Sequence, residues 1–168
     1  MRKSWITKAG VAVFCVAASG IACSQTNGPT GLSVRLGIFL PTSDFARSIG
    51  NSWFTGGIDY KLNSVAVTPM SGTTSSYLSL SADYYEKSPL RAIPVAINYN
   101  VRTSQIVWSV GIGVDFDRVG TDSTGIGGQV GVAYEFGPSP TPFFIQAKYF
   151  LDAKSDLDGF GIYAGVRF

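Results

Sequence analysis

Past residue 30 the chain runs as segments of about ten residues in which apolar and polar side chains alternate, separated by clusters of Gly, Pro, Ser, Asn and Asp. A period of two bounded by turn formers predicts strands. Eight such segments are present. The first sets Leu32, Val34, Leu36, Ile38 and Leu40 on one face against Ser33, Arg35, Gly37 and Phe39, and stops at Pro41. The second opposes Phe54, Ile58, Tyr60 and Leu62 to Thr55, Gly57, Asp59 and Lys61; the third opposes Leu78, Leu80, Ala82 and Tyr84 to Ser79, Ser81, Asp83 and Tyr85. Residues 93–100, 108–117, 129–136, 143–152 and 160–168 continue the series, and the alternation does not drift. No helical period, longer repeat or low-complexity tract interrupts it, so a single domain over 25–168 is expected.

An even number of strands brings both ends of the sheet to one side. Connections 42–52, 86–91, 118–125 and 153–159 then share one end, and 102–105 and 137–142 lie at the other as short turns. The segment 63–76 is too long for a tight turn. Its Val65-Ala66-Val67 suggests a strand extension or a protruding hairpin.

Composition narrows the setting. Charged residues make up 14% of the chain, against ~25% in soluble domains, yet no apolar run past residue 25 is long enough for a spanning helix. The membrane solution compatible with both facts spreads apolar residues at every second position. Ahead of this lies a basic start (Arg2, Lys3, Lys8), an apolar run from Ala9 to Ala22, then Ser24-Gln25 and Asn27-Gly28-Pro29. That is the layout of a cleaved secretory signal over residues 1–24, and the run is shorter than the ~20 residues of a membrane helix. Cleavage after Ala22 and after Ser24 both leave a small residue at the cut. Gly20-Ile21-Ala22-Cys23 also resembles a lipidation box in which Gly20 replaces the usual leucine.

Both cysteines, Cys15 and Cys23, fall in or beside the signal, so a chain starting at Gln25 has neither a disulfide nor a thiolate metal site. Histidine is absent, which excludes Ser-His and Cys-His catalysis. Three of the 13 basic residues and none of the 11 acidic ones precede residue 25, leaving 10 against 11, a net −1 that offers no footing for nucleic acid.

Alternation alone also describes a soluble lipocalin-like barrel with its apolar face inward around a ligand. Two features turn that face outward, into lipid. The aromatics sort to strand ends: Tyr60, Tyr99, Trp108, Tyr134, Phe136, Phe143 and Phe168 to one end, and Phe54, Tyr84, Phe116, Tyr149 and Phe160 to the other, with aliphatics between. These are expected to be interfacial girdles. On the opposite face, glycines alternate with small polar and charged residues, as the crowded inside of an eight-stranded barrel requires. There Arg35, Lys61, Lys148 and Arg167 are expected to face Asp59, Asp83, Asp115 and Glu135 as a structural charge network, since buried charges persist only when paired. The fold expected is all-β: a closed, antiparallel, up-and-down, eight-stranded transmembrane β-barrel.

From Gly31 to Phe168 the chain resembles the small outer-membrane β-barrels of the OmpA, OmpX and OmpW type. The sharpest motif is its last stretch, in which Phe160, Ile162, Ala164, Val166 and Phe168 alternate toward a final aromatic, similar to the C-terminal signal read by the barrel-assembly machinery. One departure is Tyr163 where that family often has glycine. The resemblance implies outer-membrane localisation, periplasmic chaperones in biogenesis, and outer-membrane lipid and lipopolysaccharide as surroundings. It does not imply one activity. A monomeric, cofactor-free, non-enzymatic envelope protein with a plugged lumen is the leading expectation. The alternatives are a transporter of small hydrophobic molecules, with Phe39, Tyr85, Phe144 and Phe150 lining its path, an acyl-modifying enzyme, and the soluble barrel. Asp115 and Asp117, two apart on the inward face, invite an acid or metal reading but are structural by default.

Overall fold

A computed structural model describes residues 31–63, 74–119, 121–137, 141–152 and 156–168. The expected signal over 1–24 and the Val65-Ala66-Val67 stretch lie outside the described residues. Eight strands, β1 (Leu32–Pro41), β2 (Trp53–Asn63), β3 (Thr74–Lys87), β4 (Leu90–Thr103), β5 (Ile106–Val119), β6 (Thr121–Phe136), β7 (Phe143–Leu151) and β8 (Gly159–Arg167), each pair with the next in sequence. β1 also pairs antiparallel with β8 in a register that sets Val34 opposite Val166 and Ile38 opposite Ile162. The sheet is therefore a closed antiparallel up-and-down barrel, which leaves no exposed first or last strand.

The faces are as the alternation predicts. Arg35, Phe39, Thr55, Asp83, Asn98, Gln129 and Lys148 are buried inside. Leu36, Ile58, Leu80, Ile97, Ile112, Val130, Ile145 and Ile162, one from each strand, are exposed outside. A ligand-binding barrel with an apolar lumen is the reverse of this arrangement.

Strand ends differ from the expectation. Of the stretch 118–125, expected as a connection, residues 118–119 belong to β5 and 121–125 to β6, which pair as far as Val119 opposite Thr121. Likewise β3 and β4 pair as far as Lys87 opposite Leu90, where a connection over 86–91 was expected. β3 begins at Thr74, inside the segment 63–76 for which a strand extension or a protruding hairpin was expected. The physical reason is shared. At the rims the ladder of backbone hydrogen bonds continues while side chains such as Thr121, Ser123 and Thr124 are polar on both faces, so the hydrophobic period that marks a strand is lost. One irregularity breaks the register of β2 against β3 between Lys61 and Asn63, as a bulge does.

The 42–52 connection contains a short helix, α1 (Asp44–Ile49). Ser43 caps it, its hydroxyl accepting from the Ala46 amide at 3.2 Å, and Asp44 and Arg47 stand at the ends that suit the helix dipole. Six residues are too few to show a hydrophobic period, so this helix was not expected from the sequence.

Inward glycines make room for particular neighbours. A Cβ at Gly57 would lie 2.1 Å from Asp83 Oδ1, one at Gly127 1.6 Å from Asp115 Oδ2, and one at Gly165 2.5 Å from the Phe144 ring. At Gly37 the obstacle is backbone: a Cβ would sit 1.9 Å from the Ile162 carbonyl oxygen of β8. Gly37→Val should thus destabilise the barrel by about 1–3 kcal/mol or more through overpacking. Gly128→Ala, whose nearest neighbour is 3.6 Å away, should be nearly neutral. Urea midpoints of the two variants folded in detergent measure both; a Gly37→Val barrel as stable as wild type would contradict this packing.

Candidate functional site

The lumen holds three tiers of side chains, each built by the inward positions of several strands. At the end reached by the β1–β2, β3–β4 and β7–β8 connections, Phe39 stacks on Tyr85 with ring centroids 4.0 Å apart and planes at 8°. Trp53 and Phe150 close around them, at 5.4 Å from Phe39 and 5.4 Å from Tyr85 respectively. Such contacts add about 0.5–1.5 kcal/mol each to the burial of the rings. Ala46 of α1, Leu90, Ala92 and Leu157 complete this cluster. The cover is tied down by polar contacts. The Thr42 amide donates to the Asp158 carbonyl at 2.8 Å, the Ser43 hydroxyl donates to the Asp156 carbonyl, and the Tyr85 hydroxyl donates to the Leu157 carbonyl at 3.3 Å.

The middle tier is ionic. Asp83, fully buried, accepts from Arg35 Nε and Nη2 at 2.9 Å each and from Lys148 Nζ at 2.7 Å. Arg35 Nη1 also lies 3.7 Å from Asp59 Oδ2. Two cations thus meet two anions from β1, β2, β3 and β7. The guanidinium of Arg35 stands 5.4 Å from the centre of the Tyr163 ring, whose hydroxyl hydrogen-bonds with Thr55 at 3.1 Å. Beside it a neutral network links Asn98 Nδ2 to Ser81 at 2.9 Å, Gln129 Nε2 to Ser81 at 2.8 Å and Asn100 Nδ2 to Ser79 at 2.9 Å.

The third tier, near the termini of the sheet, centres on Glu135, which bridges Arg102 and Arg167. The Arg167 guanidinium also lies over the rings of Phe144 and Tyr77, at 5.7 and 5.9 Å.

Of the eight charged residues expected to meet, the structure brings Arg35, Asp59, Asp83 and Lys148 together in one group and Glu135 and Arg167 in another. Lys61 joins neither: it is exposed on β2 with its ammonium 5.1 Å from the centre of the Tyr77 ring. Asp115 meets no cation of the set, and the charges acting on it are those of Asp152 and Asp158. Arg102 was missed because the run of alternation ends before it; its place on the inward face of β4 shows only once that strand is extended. Tyr163, the departure from the family motif, faces the lumen, and Gly161 is bare beneath its ring, at 2.4 Å from a would-be Cβ.

Among the aromatics placed at strand ends, Phe54, Tyr60, Tyr84, Tyr99, Trp108, Phe116, Tyr134, Phe136, Phe143 and Phe160 are exposed on the outer face. Tyr149 and Phe168 are half-buried. Tyr134, Phe136 and Phe143 form a row with neighbouring centroids 5.0 and 5.8 Å apart, and Tyr149 packs on Phe160 at 4.6 Å. Among the described residues, no group of three His, Cys, Asp or Glu is placed to hold a metal ion. The arrangement pairs Asp83 with Arg35 and Lys148, and Glu135 with Arg102 and Arg167, and leaves Asp115 outside both groups.

No protein-family model and no curated protein matches this chain. Two solved structures are similar to it. The Yersinia pestis outer membrane protein Ail in a phospholipid bilayer nanodisc is 15% identical with a TM-score of 0.51, over 84% of this chain and 100% of that one. The outer membrane enzyme PagL is 15% identical with a TM-score of 0.45, over 80% and 96% respectively. At that identity the likeness to Ail is one of fold: this chain has the fold of the small eight-stranded outer-membrane β-barrels.

Asp83→Leu strands Arg35 and Lys148 together in the lumen and should cost about 3–5 kcal/mol, as breaking a buried pair does. Lys148→Met leaves the Arg35–Asp83 fork intact and should cost clearly less; urea unfolding of the two variants ranks them, and the opposite order would contradict the geometry.

At the cover, burial and then Asp152 and Asp156 raise the Asp158 carboxyl above its ordinary 3.8, against the Asp152 amide that lowers it. A raised folded-state value means the ionised group opposes folding, so its cost appears as pH rises from 3.8 through that value and is absent below. Asp158→Asn should therefore raise the unfolding midpoint at pH 7 slightly, and the gain should vanish in acid below the ordinary carboxylate range.

Proposed function

We propose that this chain is a non-enzymatic, integral outer-membrane protein whose filled barrel serves the structure or surface of the envelope. One observation carries the reading: every strand exposes an aliphatic side chain outward while the interior holds fully buried ions. In water such an outer surface would be an apolar patch far beyond what monomers expose. Against hydrocarbon it is the required lining. The aromatic rows at the strand ends fit the interfaces of that bilayer, with outer-membrane lipid and lipopolysaccharide as the surroundings.

Export by a signal cleaved near residue 24 and insertion by periplasmic chaperones and the barrel-assembly machinery belong to the same proposal. They are supported by the N-terminal residue order and by the alternation of Phe160, Ile162, Ala164, Val166 and Phe168. A non-enzymatic, monomeric role is supported by the absence of histidine and by an outer face without a polar constellation among its aliphatic positions. The packing of Phe39, Tyr85 and Phe150 against one another supports a plug over a hydrophobic passage.

The test is Ile112→Arg. An arginine facing lipid near the bilayer midplane costs about 2–4 kcal/mol, so the variant should lose heat-modifiable migration on detergent gels and leave the outer-membrane fraction. Wild-type protein released by osmotic shock without detergent, or an Ile112→Arg barrel that assembles normally, would overturn the proposal.

A further inference from the structure

The inward charges are sorted along the barrel axis. Those of the middle tier balance, Arg35 and Lys148 standing against Asp59 and Asp83. At the mouth formed by the third tier they do not. Lys61 of β2, Arg102 of β4 and Arg167 of β8 stand there, and the carboxylate bound among them is that of Glu135 on β6. Asp59, the next acid inward, faces Arg35. The segments that join strands at this end, 64–73, 104–105 and 137–142, contain no Asp, Glu, Lys or Arg. Three cationic side chains therefore surround one anionic one.

The donors of this group are held in place but not used up. Glu135 takes Arg102 Nη2 on one carboxylate oxygen and Arg167 Nη1 on the other, which fixes two guanidinium groups beside each other. A guanidinium carries five N–H donors. Among the described residues the Arg102 side chain donates only to Glu135, and Arg167 adds only the Ser33 hydroxyl, through Nε at 3.3 Å. The Lys61 ammonium donates to no acceptor among them and stands 5.1 Å from the centre of the Tyr77 ring, over which Arg167 also lies, at 5.9 Å. The Arg102 and Arg167 side chains are 35% and 21% exposed, so solvent reaches the remaining donors.

We propose that this mouth binds a soluble oxyanion of the phosphate class, a free phosphate ion or a phosphate monoester, on the remaining N–H groups of Arg102 and Arg167 and on the Lys61 ammonium. A phosphate monoester brings a charge of about −1.5 to −2 and three strong acceptor oxygens at pH 7, which matches the excess of positive charge here. Guanidinium groups meet such oxygens in planar forks, and a nearby ammonium adds a point charge. The source is soluble and not a lipid headgroup. Arg102 and Arg167 turn with Glu135 to the lumen, whereas the outer face at this end presents Tyr99, Trp108 and Tyr134. The ion stops at the mouth, because the Arg35, Asp83 and Lys148 group occupies the next tier. The site stands on this geometry alone; in the membrane reading above, it opens to the periplasm.

The experiment uses the whole barrel folded in maltoside micelles in phosphate-free buffer, with the arginine Nε–H and backbone amide signals followed by NMR. Inorganic phosphate and glycerol phosphate are titrated at constant ionic strength, with acetate as the control. At least one phosphate probe should give saturable shifts confined to Lys61, Tyr77, Arg102, Arg167 and their neighbours, and acetate should bind several-fold more weakly. The tighter of the two phosphate probes tells whether the site takes the free ion or an ester. Lys61→Gln, which breaks no hydrogen bond or ion pair of the barrel, should weaken phosphate binding several-fold, and Arg102→Gln should weaken it more, in proteins that retain wild-type heat-modifiable migration. Absence of saturable shifts with both phosphate probes overturns the proposal, as does an equal response to acetate or wild-type affinity in Lys61→Gln. Because none of these side chains lies on the outer face, failure leaves the membrane proposal standing.

Discussion

Closure of the sheet is the constraint from which the rest follows. Once β1 pairs with β8, every strand has two neighbours and the backbone of the wall is satisfied, but eight strands enclose a space only wide enough for side chains. Whatever points inward must fit its neighbours in size and in charge. The glycines at 37, 57, 127 and 165 answer the first demand, each standing where a Cβ would strike a named atom. Asp83 between Arg35 and Lys148, and Glu135 between Arg102 and Arg167, answer the second.

The interior is thus inverted relative to a soluble protein, and the inversion explains its composition. Ions taken out of water carry a desolvation cost of several kcal/mol apiece, offset only with good geometry and several hydrogen bonds. The bidentate Arg35–Asp83 fork with Lys148 on the second carboxylate oxygen meets that condition. Because the four charges come from β1, β2, β3 and β7, the group ties opposite sides of the wall together. The aromatic cluster does similar work at one end, where the first and last connections meet over Phe39 and Tyr85.

Between β7 and β8, Leu157 packs on the aromatic cluster and its carbonyl accepts from the Tyr85 hydroxyl at 3.3 Å, so this connection helps cover the lumen.

The fold was legible in the sequence because its signal is local and repeated. A period of two is imposed wherever one face meets hydrocarbon and the other a crowded lumen, and it identifies the strands, their faces and the direction in which Arg35, Asp83 and Lys148 point. Strand ends were not legible, since at residues 118–125 both faces are polar and only the hydrogen-bond ladder with the neighbouring strand defines the element. Nor was the pairing of charges. Alternation shows that Asp83, Asp115 and Lys61 share the inward parity, but which of them meets a cation depends on register and strand stagger around the closed sheet. Those quantities place Asp83 beside Lys148, 65 residues away, leave Asp115 among carboxylates, and carry Lys61 out to the rim. The sequence by itself determined which side of each strand faces in, a property of neighbouring residues; tertiary closure alone decided which inward residues touch, because contact across a barrel belongs to the whole ring of strands.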